Sequence, residues 1–147
     1  MRFLALDIGD VRVGYALCDS LEIAAYPAGV FRRSGSLRAD IEAVLSLASE
    51  HEAEAVLIGL PLSLDGEAGP QAVKTQGFAR RLANKAAVPV VLWDESLTSV
   101  EADEMMRAHG LSHARRRAKI DQQAAALILE SYLAHRRRIG APGDAIV

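Results

Sequence analysis

The chain has 147 residues, of which 50% are hydrophobic and 24% are charged, and its formal net charge is −2. This is an ordinary globular composition, and it excludes a disordered or fibrous chain. The single cysteine, Cys18, excludes an internal disulfide, and no stretch approaches the roughly 18 apolar residues that a membrane-spanning helix needs. We therefore expect a soluble cytoplasmic protein with no membrane partner.

The first third of the chain is predicted to form three strands and a helix. Residues 3–8 and 12–18 are apolar runs on either side of a short Gly-Asp turn, which is typical of a β-hairpin. A third strand is expected over residues 23–32, although a proline and a glycine weaken its pattern. From Leu37 the apolar residues recur at helical spacing after a Ser-Gly-Ser start, which predicts a capped helix.

The middle of the chain alternates between strand and helix. Short apolar runs at residues 55–61 and 88–93 predict central parallel strands covered on both faces. Residues 71–86 between them predict a helix. The residues of this helix expected to face inwards are Val73, Phe78 and Leu82.

The last third is predicted to be helical, with polar breaks. The polar stretch DESLTS (94–99) leads into a helix that ends near His109, and an arginine-rich loop over residues 112–117 precedes a final helix from Ala118 to Arg138. We expect one domain over residues 1–139 and a flexible tail over 140–147. The order of elements predicts a mixed five-stranded sheet with helices on both faces.

Acidic residues from distant parts of the chain are predicted to meet at one edge of this sheet. Asp7 ends the first strand, Asp94 and Glu95 follow the last strand, and Asp121 shares a helical stripe with apolar neighbours. Such carboxylates repel one another unless a cation lies between them. Oxygen ligands of this kind suit Mg²⁺ or Mn²⁺, and two such ions can promote hydrolysis of a phosphodiester.

Each acid also has a purely structural interpretation. Asp7 can accept hydrogen bonds from the backbone of the turn before Gly9. Asp121 can pair with a neighbouring Arg117 or Lys119, or act as a first-turn acid that the helix dipole favours. Asp94 and Glu95 can serve only to cap the following helix.

The segment from Arg107 to Arg138 is basic, with eight Lys and Arg residues against two acids. A charge run often marks only a solvated surface, but this one lies next to a proposed phosphodiester site, so we predict that it binds nucleic acid. Arg12, just after the first turn, is predicted either to bind phosphate or to pair with one of the acids. The basic residues predicted to contact nucleic acid beside Arg12 are Arg115, Arg116, Arg117 and Lys119.

Four segments in order resemble the YqgF (RuvX) family of RNase H-like nucleases, which is related to the RuvC Holliday-junction resolvases. They extend over about 125 residues, nearly the whole chain. The segments are ALDIGDVRVGYALCD (5–19), IGLPLSLDG (58–66), DESLTS (94–99) and KIDQQAAALIL (119–129).

The resemblance implies an RNase H-like fold and a divalent-metal-dependent nuclease. It puts Asp7, Glu95 and Asp121 at the positions of the family's acidic triad. The implied cofactor is a pair of Mg²⁺ or Mn²⁺ ions. The implied role is maturation of the 5′ end of pre-16S ribosomal RNA, and resolution of Holliday junctions is the alternative. The family commonly has DER-L-T-T where this chain has Ser96, so one phosphate contact of the pattern is missing.

Two further hypotheses remain open from the sequence. The stretch D-I-G-D-V-R-V-G also resembles the first phosphate loop of actin-like and sugar-kinase ATPases, but those enzymes need two such domains. The second hypothesis is a non-catalytic module that binds structured RNA or branched DNA. A resolvase must cut two strands symmetrically, so the resolvase hypothesis predicts a homodimer.

Overall fold

A computed structural model describes residues 1–62, 66–94 and 113–139 of the chain, with the side chains of the last segment described from 123 to 138. The described elements follow the predicted alternation closely. In chain order they are β1 Phe3–Ile8, β2 Arg12–Cys18, β3 Ala25–Arg32, α1 Leu37–Glu50, β4 Ala55–Leu60, α2 Pro70–Lys85, β5 Val90–Asp94 and α3 His113–Ile139.

The described strands form one mixed sheet in the order β3-β2-β1-β4-β5. The first three strands are an antiparallel meander, and β4 and β5 join β1 in parallel. The connections into β4 and β5 include α1 and α2, as parallel crossovers require. The predicted five-stranded mixed sheet is therefore confirmed.

The two faces of the sheet bury different side chains because strand residues alternate between faces. On one face Leu4, Leu6 and Ile58 pack under α1 and α2 with Ile41 and Phe78. The other face is covered by α3. Its core combines small, aliphatic and aromatic residues, among them Phe3, Ala5, Ala16, Leu57, Ala125, Ile128, Leu129 and Tyr132.

Two details of the sequence prediction are wrong. Val73 is 58% exposed, because the buried stripe of α2 runs through Ala72, Thr75 and Phe78 and leaves Val73 to one side. The arginine-rich segment 112–117 is not a loop, since α3 begins at His113. Alanine and arginine are good helix formers, so this polar run extends the helix without needing an apolar face of its own. The predicted helix that ends near His109 and the predicted tail at 140–147 lie outside the described residues.

An ion-pair cluster joins the end of α3 to the start of the chain. The Arg136 guanidinium donates from Nε to Glu22 Oε1 at 2.6 Å, and the amino group of Met1 contacts Glu22 Oε2 at 3.0 Å. The same guanidinium lies 5.0 Å from the centre of the Phe3 ring. The hydrogen bond from Arg136 lowers the pKa of Glu22. The cluster thereby holds the carboxyl end of α3 over the beginning of β1.

Replacing Arg136 with alanine is expected to lower the free energy of unfolding by about 2 kcal/mol, because it removes a charged hydrogen bond and the packing on Phe3. Arg138→Ala at the same helix end is the matched control, since Arg138 is exposed and forms no ion pair among the described residues. Urea denaturation measures both. Equal losses in the two variants would contradict this role for Arg136.

Candidate active site

Asp7 lies inside β1, on the face of the sheet that α3 covers. Phe3 and Ala5 pack against α3, and alternation puts Asp7 next on the same side. Its partner in β2 is Gly14, and in β4 the position one step past the Leu6–Ile58 pair is Gly59. Neither neighbouring strand therefore has a side chain beside this half-buried carboxylate. A chain that places an acid between two glycines leaves room there for a ligand.

A backbone hydrogen bond closes the turn after β1, because the Gly9 amide donates to the Arg12 carbonyl at 2.9 Å. A Cβ at Gly9 would lie 2.9 Å from the same carbonyl oxygen, which explains the glycine. The Gly9 amide is therefore not the donor to Asp7, which has other interactions in the structure.

Asp94 and Asp7 lie near the same end of the sheet but on different faces. Val91 packs in the core under α3, so alternation puts Trp93 on that face and Asp94 on the opposite one. Asp94 is also exposed. The structure therefore separates Asp94 from Asp7, and Glu95 lies outside the described residues.

α3 lies on the same face of the sheet as Asp7. The centres of the Tyr132 and Phe3 rings are 5.4 Å apart, and Arg136 beyond them lies over the start of β1. Trp93 pairs with Gly59, the β4 residue beside Asp7, and its Nε1 donates to Ser131 Oγ at 3.1 Å. Contacts at the start of β1 and at the end of β5 therefore hold the second half of α3 over this face.

Position 121 falls on the stripe of α3 that packs against the sheet. The residues three, four and seven places further on, Ala124, Ala125 and Ile128, are fully buried. Because α3 starts at His113, Asp121 stands about two turns inside the helix, and the first-turn interpretation of this acid is wrong. The side chain of Asp121 is not among those described.

Arg12 lies on the same face as Asp7. Gly14 pairs with Asp7, and Arg12 is two residues from Gly14 along β2, which makes it a diagonal neighbour at roughly 7–8 Å between backbones. Arg12 is half-buried and has interactions of its own.

The backbone of the predicted basic run lies in the first turns of α3. Its residues are Arg115, Arg116, Arg117 and Lys119.

Sequence reasoning missed a basic groove on the opposite face. It lies between the β1–β2 turn, residues 32–40 and α2, and its volume is about 640 Å³. Arg32, Arg33, Lys74 and Arg81 line it. The sequence contains a pattern that indicates this groove, because Lys74, Phe78 and Arg81 recur at helical spacing and so share one face of α2.

A buried ion pair forms one wall of this groove. Asp40 is 3% exposed and accepts hydrogen bonds from the Ser34 amide at 2.9 Å and from Arg33 Nε at 2.9 Å. Burial, the largest single influence, acts to raise the pKa of Asp40, but the hydrogen bonds from Ser34 and Arg33 together outweigh it and the pKa is lowered. Arg33 also donates to the Gly9 carbonyl at 3.0 Å. This pair links α1 to the turn beside Asp7.

Within the described residues no three His, Cys, Asp or Glu side chains come together as a metal site. Of the expected triad only the Asp7 side chain belongs to that set. No helix in the described part of the chain is long and apolar enough to cross a membrane.

The order and directions of the five strands define an RNase H-like fold. Thermus thermophilus RuvC in complex with a Holliday junction substrate aligns with a TM-score of 0.57 and 21% identity, covering 95% of this chain and 96% of that one. A ROK family protein from Streptococcus pneumoniae shares the fold more partially, with a TM-score of 0.50 and 14% identity over 76% of this chain and 40% of that one.

The chain belongs to the RuvX family. The sequence model of this family, described as Holliday junction resolvase, matches residues 1–135. A relative from Syntrophus aciditrophicus with the name "Putative pre-16S rRNA nuclease" is 42% identical over 99% of this chain and 96% of its own length. A relative of the same name from Myxococcus xanthus is 44% identical over 92% of this chain and 90% of its own length. The predicted family is thus confirmed.

Proposed function

We propose that this protein is a nuclease that hydrolyses phosphodiester bonds at a site formed by Asp7, Glu95 and Asp121. The observation that carries the proposal is the setting of Asp7, a half-buried carboxylate between two glycine positions on the face of the sheet that α3 covers. An acid in that setting is suited to a ligand that needs oxygen donors. The resolvase-type fold supports a nucleic acid as substrate.

Asp7 fits a hard cation because its carboxylate oxygens are the donors that Mg²⁺ and Mn²⁺ prefer and no strand neighbour blocks it. In this proposal Asp7, Glu95 and Asp121 together would hold two Mg²⁺ or Mn²⁺ ions. When bound there, such ions would supply an activated water and stabilisation of charge on the leaving oxygen.

The remaining chemistry belongs to the chain. Asp7 is fixed by a central strand, so its carboxylate has little freedom to move away from the reacting group. Arg12 is a diagonal neighbour on the same face, where a guanidinium can orient a phosphate by two parallel hydrogen bonds. The basic first turns of α3, Arg115 to Lys119, are proposed to hold the backbone of the nucleic acid beyond the scissile bond.

The substrate we propose is the 5′ end of pre-16S ribosomal RNA, processed in the cytoplasm during ribosome biogenesis. The full-length similarity to relatives named for that activity supports it. The test is cleavage of an RNA containing the 5′ flank and first stem of 16S RNA, with Mg²⁺ or Mn²⁺ and with EDTA. We expect divalent-metal-dependent cleavage in the flank, and no cleavage with EDTA.

A four-way DNA junction in the same assay tests the second candidate, a Holliday junction resolvase, which the description of the family model favours. Resolution predicts paired symmetrical nicks and a dimer on the junction. A protein that stays monomeric on the junction and cuts only the RNA contradicts resolution. Binding of both substrates without cleavage in any metal contradicts the nuclease proposal and favours a non-catalytic binding module.

A further inference from the structure

The basic groove shares the β1–β2 turn with the candidate active site. Ile8 follows Asp7 directly and lines the groove from the other face of the sheet, and Asp10 and Val11 in the turn complete that side. The turn is thus a narrow ridge with the proposed catalytic acid on one side and the groove on the other. A polynucleotide held at Asp7 has only this ridge to cross before it reaches the groove.

The groove keeps an excess of positive charge after its internal ion pairs are counted. Arg33 is paired with the buried Asp40. Lys74 lies 3.7 Å from Asp10, but both side chains are about two-thirds exposed, and such pairs are weak. Arg32 and Arg81 form no ion pair within the described parts of the chain. Two arginines are therefore available to an anion.

The shape of the groove is open on the α2 side. Lys74, Phe78 and Arg81 form a stripe on one face of α2, and Gly77 lies within it. A Cβ added at Gly77 would meet nothing within 4 Å. The volume of about 640 Å³ is within the range of sites that hold a nucleotide-sized group. The wall opposite α2 is held by the Arg33–Asp40 pair.

We propose that this groove binds a backbone phosphodiester of the nucleic-acid substrate, a few nucleotides from the bond that is cut, through Arg81 and Arg32. The inference rests on the proposed function and extends it, because it adds a second anchoring point across the β1–β2 ridge. Guanidinium groups with no carboxylate partner recognise phosphate oxygens in this way. Together, the groove and Asp7 fix where along the strand cleavage occurs.

The test compares Arg81→Ala with Arg80→Ala. Both residues are exposed on α2 and both changes remove one positive charge, but Arg80 does not line the groove. Binding of a fluorescent RNA with the 16S 5′ flank and first stem is measured by anisotropy in Ca²⁺ over a range of salt concentrations. We expect Arg81→Ala to raise Kd about five- to tenfold and to reduce the salt slope by about 0.7 to 1, with Arg80→Ala close to the unmodified protein.

A second variant, Gly77→Glu, adds a carboxylate to the groove at a position with open space. It is expected to weaken RNA binding at least as much as Arg81→Ala while the melting temperature stays near that of the unmodified protein. Unchanged binding in both variants, or an equal loss in Arg80→Ala, would overturn the groove proposal, as would an intact protein that binds no RNA. The unmodified protein could also bind RNA but cleave none in Mg²⁺ or Mn²⁺. If RNA binding is then weakened only in the groove variants, the result would support the groove proposal and refute the nuclease proposal.

Discussion

Replacing Asp7 with asparagine is expected to lower the rate of phosphodiester cleavage by at least about 100-fold, because a neutral amide holds a divalent cation far less well than a carboxylate. The folded structure should persist, since asparagine has nearly the size and shape of aspartate and the strand positions on both sides of Asp7 are glycines. Single-turnover cleavage of the pre-16S RNA fragment in saturating Mg²⁺ measures the loss. Circular dichroism and melting temperature report on folding.

Asp94→Asn is the matched control for this experiment. Asp94 ends β5 near the same edge of the sheet, but strand alternation puts it on the face away from Asp7. We expect less than about a tenfold change in rate, in keeping with a carboxylate that lies outside the reacting centre. An Asp94→Asn variant as inactive as Asp7→Asn would move the site to the other face, and an active Asp7→Asn would remove Asp7 from it.

Replacing Asp40 with alanine is expected to lower the free energy of unfolding by about 3 kcal/mol or more, because it leaves the Arg33 guanidinium and the Ser34 amide without their buried acceptor. The control is Glu42→Ala in the same helix, since Glu42 is more than half exposed and has only a weak pair with Lys85. Guanidinium denaturation measures both changes. Similar losses of unfolding free energy in the two variants would contradict a larger contribution from the buried Arg33–Asp40 pair than from the exposed Glu42–Lys85 pair.

The contribution of Asp40 to stability should also depend on pH. Its pKa in the folded protein is lowered, so its charge favours folding at any pH above the ordinary pKa of an aspartate. That contribution falls as the pH drops through the lowered pKa. The difference in stability between the unmodified protein and Asp40→Ala should therefore be constant near neutral pH and shrink in strong acid. A difference that grew on acidification would contradict the lowered pKa.

Most of the fold could be predicted from local patterns. The two apolar runs and the short Gly-Asp turn between them predict the β1–β2 hairpin, and the short apolar run at β4 predicts a strand covered on both faces. The start of α3 could not be placed, because the segment from His113 to Lys119 has no apolar periodicity although its residues favour helix. Val73 is predicted to be buried because it is apolar and lies beside the buried stripe of α2. The sequence alone does not distinguish such a residue from one within the stripe.

The site was less predictable, since it depends on how distant elements cross. The orientation of Asp7 follows from alternation along β1, and the same rule separates Asp7 from Asp94. The position of α3 over the sheet depends on contacts at Phe3 and Tyr132 that no local pattern predicts. The burial of Asp40 could not be predicted for the same reason. Arg33 and Ser34 become its hydrogen-bond partners only when the chain turns between β3 and α1.

The central claim is that Asp7, Glu95 and Asp121 form one divalent-metal centre, and direct Mn²⁺ titration by calorimetry tests it without any substrate. The account predicts that the unmodified protein binds Mn²⁺ and that Asp7→Asn, Glu95→Gln and Asp121→Asn each weaken binding by at least about tenfold. Asp10→Asn, in the exposed turn three residues after Asp7, should bind Mn²⁺ as the unmodified protein does. Mn²⁺ binding that is unchanged in all three acid variants would contradict the account.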